Sequence, residues 1–212
     1  MRPFLDRQAA GELLGQAVAE RLGGEPAVVL AIPRGGVAVA ARVAERLGAP
    51  LDVVIPRKVG APNNPELGLG AVAPGVRVLD ERLIAELGVT EEYLEREIEA
   101  QEREIARREA AYRKGRPPVE VEQKVAIVVD DGVATGGTAA AACRWARQAG
   151  AMRVILAVPV APRQARAMLE READQVLFLA TPDPFFAVGQ WYHDFDQVSD
   201  AEVVSLLHQA PS

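Results

Sequence analysis

Two adjacent carboxylates, Asp130 and Asp131, stand directly after an apolar run, Ala126-Ile127-Val128-Val129. Within a few residues they are followed by Thr135-Gly136-Gly137-Thr138. The apolar run reads as a strand buried on both faces, and the Gly-rich turn as the opening of a helix. This order puts two acids at the carboxyl end of a strand, beside the free backbone N–H groups of a helix N-terminus. Glycines let that backbone approach a phosphate closely, and the hydroxyls of Thr135 and Thr138 add donors. Carboxylates beside a phosphate would repel it unless they accept hydrogen bonds from sugar hydroxyls or hold a hydrated cation. The combination suits a sugar phosphate.

Alone, the turn leaves other readings open. A tight strand-to-helix turn without a ligand has a similar composition, and the acids could simply cap a helix. The Gly-Lys-Ser/Thr ending of a Walker loop is missing. The glycines follow the acids instead of opening the turn, which excludes a dinucleotide fingerprint. Cys143 is the only cysteine, so an internal disulfide and a cysteine-based zinc site are excluded. It lies in an Ala-rich helical stretch and reads as a small packed residue rather than a nucleophile. His193 beside Asp194 offers an acid–base pair, against the commoner reading of two surface neighbours.

Strands and helices alternate around this segment. Helices are expected over residues 5–22, 36–47, 80–87, 90–114, 136–148, 162–171 and 200–208, and strands over 27–32, 51–55, 124–129, 153–158 and 176–179. Such alternation implies an α/β protein with a parallel sheet flanked by helices on both faces. In such a sheet, ligands sit outside the carboxyl ends of the strands. Residues 59–75, rich in Gly and Pro, read as a loop or loose hairpin outside the core. The helix over 90–114 carries four-apart Glu–Arg pairs and only a thin apolar stripe, Leu94, Ile98, Ile105 and Tyr112. That pattern suits a solvated helix packed on one side, a lid, a hood or a coiled-coil contact.

The chain has 212 residues, enough for one sizeable core plus an insertion. A net charge of −6 argues against a general nucleic-acid binder. No apolar run approaches the length of a membrane span or a signal-peptide core, so a cytoplasmic location is expected. Of the 24 basic residues only Lys58, Lys114 and Lys124 are lysines, which makes Lys58 stand out in a chain that prefers arginine.

The segment from Val128 to Thr138 closely resembles the phosphoribosyl-diphosphate loop of type I phosphoribosyltransferases. It departs at Gly132, where that family usually carries Ser or a bulkier apolar residue. Two further segments match in order. Ala31-Ile32-Pro33-Arg34-Gly35-Gly36 stands where the family has its diphosphate loop, with Arg34 and Gly35 flanking the peptide that is often strained there. Arg57-Lys58 stand at the end of the next strand, where a basic residue often contacts diphosphate. The resemblance implies one domain over residues 1–212, with a mobile loop plus helical insertion at 59–118 and a C-terminal tail at 180–212 that contributes to a hood.

The activity implied is transfer of the 5-phosphoribosyl group from 5-phosphoribosyl 1-diphosphate to a nitrogenous base, with release of diphosphate and with Mg²⁺ as cofactor. Asp130 and Asp131 would hold the ribose hydroxyls and, through water, the metal. Ala134, Thr135, Gly136, Gly137 and Thr138 would hold the 5-phosphate. Lys58 and Arg34, assisted by Arg57, Gly35 and Gly36, would stabilise the leaving diphosphate. The partners implied are small molecules, with no nucleic acid and no membrane, and a homodimer is compatible with the reading. Members acting on 6-oxopurines usually carry an acid at the position of Ala134, which argues against hypoxanthine or guanine as the base. Phe185, Phe186, Trp191 and Tyr192 follow the last strand, near where the family stacks its base, and are candidates for stacking or for core packing. The alternative function is a non-catalytic sensor that binds the same sugar diphosphate or a nucleotide.

Overall fold

A computed structural model describes residues 4–210. The elements that build the central sheet are β1 (Ala27–Ala31), β2 (Leu51–Val53), β6 (Val125–Val129), β7 (Arg153–Val160) and β8 (Gln175–Ala180). A second sheet holds β3 (Arg57–Ala61), β4 (Asn64–Ala73) and β5 (Val76–Leu79). The helices are α1 (Arg7–Leu22), α2 (Gly35–Leu47), α3 (Glu81–Glu86), α4 (Glu91–Arg113), α5 (Gly137–Gln148), α6 (Arg166–Leu169) and α7 (Asp200–Gln209). The central sheet is parallel throughout, in the order β2-β1-β6-β7-β8.

Side chains along a strand alternate between faces, and here both faces are covered. Val29, Ala31, Ile127, Val129, Ile155 and Ala157 pack in one core with Leu14 and Val18 of α1, Val39 and Val43 of α2 and Leu207 of α7. Val28, Leu30, Ala126, Val128, Leu156 and Val158 pack in another with Ala139, Ala142 and Cys143 of α5 and Leu169 of α6. Helices therefore lie on both faces, as expected. The chain moves outward from β1 to β2 on one side and from β6 to β8 on the other. The order thus reverses between β1 and β6, and the loops leaving these two strands diverge around a crevice.

Residues 59–75 differ from the sequence expectation. They form most of an antiparallel ladder, β3-β4-β5, and Val59, Leu69, Ala71, Val72 and Ala73 are buried. Ala71, Ala73 and Val76 pack against Ala141 and Trp145 of α5. Several glycines here are places of close approach rather than loop markers. A Cβ on Gly70 would lie 2.2 Å from the Val78 carbonyl oxygen, and one on Gly60 2.9 Å from Pro65. Arg57 and Lys58 likewise open β3 instead of ending β2. Val54 still donates to the Ala31 carbonyl. Pro56, with no N–H, stands where the chain leaves one sheet for the other.

α1 buries Gly11, Leu14, Gly15 and Val18 and leaves Leu13 exposed. A Cβ on Gly11 would meet the Val39 carbonyl at 2.6 Å, so the two glycines let α1 lie close on α2. α4 is docked at its far end, where Tyr112 is fully buried and donates to Asp200 of α7 at 2.8 Å. The helix expected over 162–171 is shorter, a 3₁₀ turn followed by α6.

Candidate functional site

Among helices of six residues or more, α1, α3, α4 and α7 are capped by side chains, from Asp6, Asp80, Thr90 and Ser199. α2 and α5 have no side-chain cap. These are the two helices that open at the crevice, so their first amides are left to another partner. Gly136 takes a left-handed conformation (φ 91°) at the start of α5, and a Cβ placed on Gly137 would meet nothing within 4 Å. Ala134 and Thr135 are exposed, and Thr138 is half-buried. The bend is thus open at Gly137, whereas Gly136 is buried against Met168, whose Cε would lie 2.3 Å from a Cβ there.

The acids sit against the other loop. A Cβ on Gly35 would lie 1.9 Å from Oδ2 of Asp131, and one on Gly36 2.9 Å from the Asp130 Cα. Only glycines fit there, and their lack of side chains brings the 33–36 turn into contact with the acid pair. The cis peptide in this turn is Pro33–Arg34, one residue before the peptide to which the resemblance points. Both acids are mostly buried, and the Asp131 side chain is 15% exposed. The amide of Asp131 donates to Oδ1 of Asp130 at 2.8 Å, and Nε of Arg7 donates to Oδ2 of Asp131 at 2.8 Å. Burial, then the neighbouring Asp131 charge, pushes the Asp130 carboxyl well above the usual carboxylate range. Burial also raises Asp131, opposed by Arg7.

The bases lie on the rim. Thr138, Arg57 and Lys58 line one cleft of about 350 Å³ together with Pro56, Gly60, Pro65, Glu66, Glu97 and Gln101. Arg57 donates to Gln101 at 2.9 Å, while the exposed Lys58 ammonium donates to the Glu66 carbonyl. Arg34 lies 3.7 Å from Asp200. Among the described residues no cluster of three or more metal-ligating His, Cys, Asp or Glu side chains occurs. The donor set for a cation is thus a pair of carboxylates, which fits Mg²⁺ completed by water and substrate oxygens better than a closed protein cage.

The tail aromatics divide. Tyr192 is fully buried between Phe4 and Phe195, at ring distances of 5.4 and 5.0 Å. Its hydroxyl donates to the Asp131 carbonyl, so it supports the acid loop and presents no open ring face. Phe185 and Trp191 stack on each other at 6.4 Å, and Phe186 is exposed. The Trp191 indole N–H is enclosed without a protein acceptor. Val188 explains the family departure at Gly132: a Cβ there would lie 2.5 Å from its Cγ1. His193 and Asp194 are exposed, and their amides donate to the Phe4 and Leu5 carbonyls. Cys143 is enclosed in α5, where burial pushes its thiol up to about 12, consistent with a packed residue. Sequence reading missed Arg7 and Tyr192 as supports of the acid loop, because both reach it from segments distant in the chain.

A parallel sheet with this switch point is a phosphoribosyltransferase-type fold, here with two helix openings that lack side-chain caps and an acid pair between them. Residues 5–195 match the model of the phosphoribosyl transferase domain, and the chain belongs to that family. It is 46% identical over 211 residues to the Mycobacterium tuberculosis (strain ATCC 25618 / H37Rv) protein named "Putative phosphoribosyl transferase Rv0571c", and equally to "MT0597" of strain CDC 1551 / Oshkosh. These alignments take in 99% of this chain and 47% of each relative, so the chain spans about half the length of the curated relatives it matches. The crystal structure of TT1426 from Thermus thermophilus superposes with a TM-score of 0.84 at 45% identity, covering 100% of both chains. Among the described residues, no helix is long and apolar enough to cross a membrane.

Proposed function

We propose that the chain transfers the 5-phosphoribosyl group from 5-phosphoribosyl 1-diphosphate to a ring nitrogen of a base, releasing diphosphate. The observation that carries this reading is the contact of Gly35 and Gly36 with the Asp131 and Asp130 region, which joins the two loops into one crevice. The amides opening α5, with Thr135 and Thr138, hold the 5-phosphate. Asp130 and Asp131 accept from the ribose hydroxyls. The 33–36 turn, Arg34 and Lys58 face the diphosphate. Asp130 and Asp131 would hold Mg²⁺ through water, and the ion would supply positive charge against the diphosphate.

The bond from the anomeric carbon to the diphosphate oxygen lengthens as positive charge develops on the sugar. The base nitrogen then bonds to that carbon, and its proton leaves to solvent. Negative charge grows on the leaving group, where Lys58, Arg34 and the turn's amides are placed to stabilise it. For Lys58 this requires exchanging the Glu66 carbonyl for the ligand. The tip of the β3–β4 hairpin excludes water from the cationic sugar. Ala134 supplies no carboxylate toward a purine ring, which disfavours 6-oxopurines as acceptors.

The test is release of diphosphate by purified protein with Mg²⁺, the sugar diphosphate and a panel of bases. Turnover with one of them is the expected result. Calorimetric binding of the sugar diphosphate without turnover on any base would replace the transferase reading with that of a sensor. Asp130→Asn combined with Asp131→Asn should abolish the binding while the circular dichroism spectrum is kept.

A further inference from the structure

Tyr93, Glu97 and Gln101 stand four apart on α4 and so share one face of it. The Tyr93 hydroxyl donates to the Gly60 carbonyl of β3 at 3.1 Å. Further along the same face, Nε of Arg57 donates to Oε1 of Gln101 at 2.9 Å, and Nε2 of Gln101 donates to Oε1 of Glu97 at 2.8 Å. The two contacts agree on the orientation of the Gln101 amide. Turned over, it would set N–H against guanidinium and oxygen against carboxylate. α4 is itself held near both ends, through Glu95 to Arg77 of β5 at 2.7 Å and through Arg113 to Asp52 of β2 at 3.1 Å. Gln101 is therefore a fixed acceptor on a fixed helix. Glu97, Gln101, Arg57, Lys58 and Thr138 line one cleft. Among the described residues, no acceptor engages the two terminal nitrogens of Arg57.

The geometry points to Gln101 as the positioning residue for Arg57: it clamps Nε and leaves the terminal fork to take two oxygens of a diphosphate in the cleft. The ligand is the one named by the proposed function, on which this assignment rests. A guanidinium is planar, so fixing Nε fixes the plane in which its other N–H groups lie. Bidentate pairing with phosphate oxygens depends on that plane. Gln101 is also neutral. A carboxylate in its place would hold Arg57 as firmly but offset the positive charge that attracts an anion. Here the carboxylate stands one step behind, on Glu97, and polarises the amide. An unanchored arginine must give up the freedom of its long side chain when a ligand arrives, and affinity falls accordingly. The helical insertion thereby acts on the ligand through Arg57.

¹⁵N NMR of the arginine Nε–H groups in the ligand-free wild type, with Arg57→Lys used for assignment, reads the anchor directly. The Arg57 Nε–H should exchange with water more slowly, and move less, than those of the exposed Arg96 and Arg103. An Arg57 group as mobile as theirs overturns the proposal. Calorimetry with inorganic diphosphate and Mg²⁺ reads the consequence. Gln101→Met, close to glutamine in helix preference, should weaken binding roughly three- to tenfold, the ordering of one long side chain. Arg57→Lys keeps the positive charge and removes the Nε donor. In that background Gln101→Met should change nothing further, whereas in a Lys58→Ala background it should lose the same factor as in wild type. Equal losses in all three backgrounds would mean that Gln101 only supports the helix, and would overturn the proposal. Unchanged binding in Gln101→Met would do the same. A wild type that binds neither inorganic diphosphate nor the sugar diphosphate removes the proposed function and this assignment together. A wild type that turns over the sugar diphosphate and is indifferent to Gln101→Met removes this assignment alone.

Discussion

Asp52 on β2 and Arg113 in the last turn of α4 form an ion pair, with Nε of Arg113 3.1 and 3.2 Å from the two carboxylate oxygens. Asp52 is the buried charged residue of the sheet edge, and it also accepts from the amides of Val53 and Val119. The pair ties the far end of the helical insertion to the strand that leads into Arg57 and Lys58. Asp52→Ala leaves the guanidinium half-enclosed and two amides without an acceptor. It should cost about 3–5 kcal/mol, read as a shift in the urea midpoint. Asp52→Asn should cost less, since the amide oxygen keeps some of these bonds.

Asp130 carries a stability cost that depends on pH. Its folded-state proton affinity is raised, so between the unfolded carboxylate's ordinary titration and its own raised one, the folded protein holds a proton that the unfolded chain has released. Stability therefore falls as pH rises through that window. Asp130→Asn should remove the fall and raise the melting temperature at pH 8 relative to wild type, with little gain at pH 4. Equal shifts at both pH values would contradict the assignment.

Gly132 lacks a side chain because Val188 of the tail fills the space. Gly132→Val should force the Val188 and Val160 methyl groups aside and cost about 1–3 kcal/mol. Combining it with Val188→Ala should recover part of the loss. Thermal melts of the two single variants and the double variant measure the coupling, and strictly additive losses would mean that the tail does not press on this position.

Cys143 should be inert in the folded protein. It is enclosed in α5, and burial and the Glu172 charge push its thiol up to about 12. Thiolate is the reactive form, so labelling by a thiol-specific reagent should proceed at the rate of global unfolding and reach completion only in denaturant. Rapid labelling without denaturant would show that α5 opens locally.

The acid pair and its turn were legible because their pattern is local: apolar strand, acids, glycines and helix follow one another without interruption. The starts of α3 and α4 were equally readable: the helices expected from 80 and 90 open at Asp80 and Thr90, whose side chains cap them within a single turn. The outer sheet was not. Gly60, Gly68 and Gly70 carry the letters of a loop, and their meaning lies in what a Cβ would strike on a neighbouring strand. Tyr192 has the composition of a stacking platform, and only its burial against Phe4 and Phe195 shows it to be a brace. Arg7 had no local signal at all, since its partner stands on the far side of the sequence.

The packing of Ala71, Ala73 and Val76 on Ala141 and Trp145 makes the outer ladder and α5 a single mechanical body. A swing of the whole arm would have to drag α5 with it. Bending is left to the distal residues 62–67, most of which lie exposed beyond the Lys58–Ala71 pairing. On the proposed function, shelter for the reactive sugar falls to a short flap at the ladder's end, while the helix beneath it stays still.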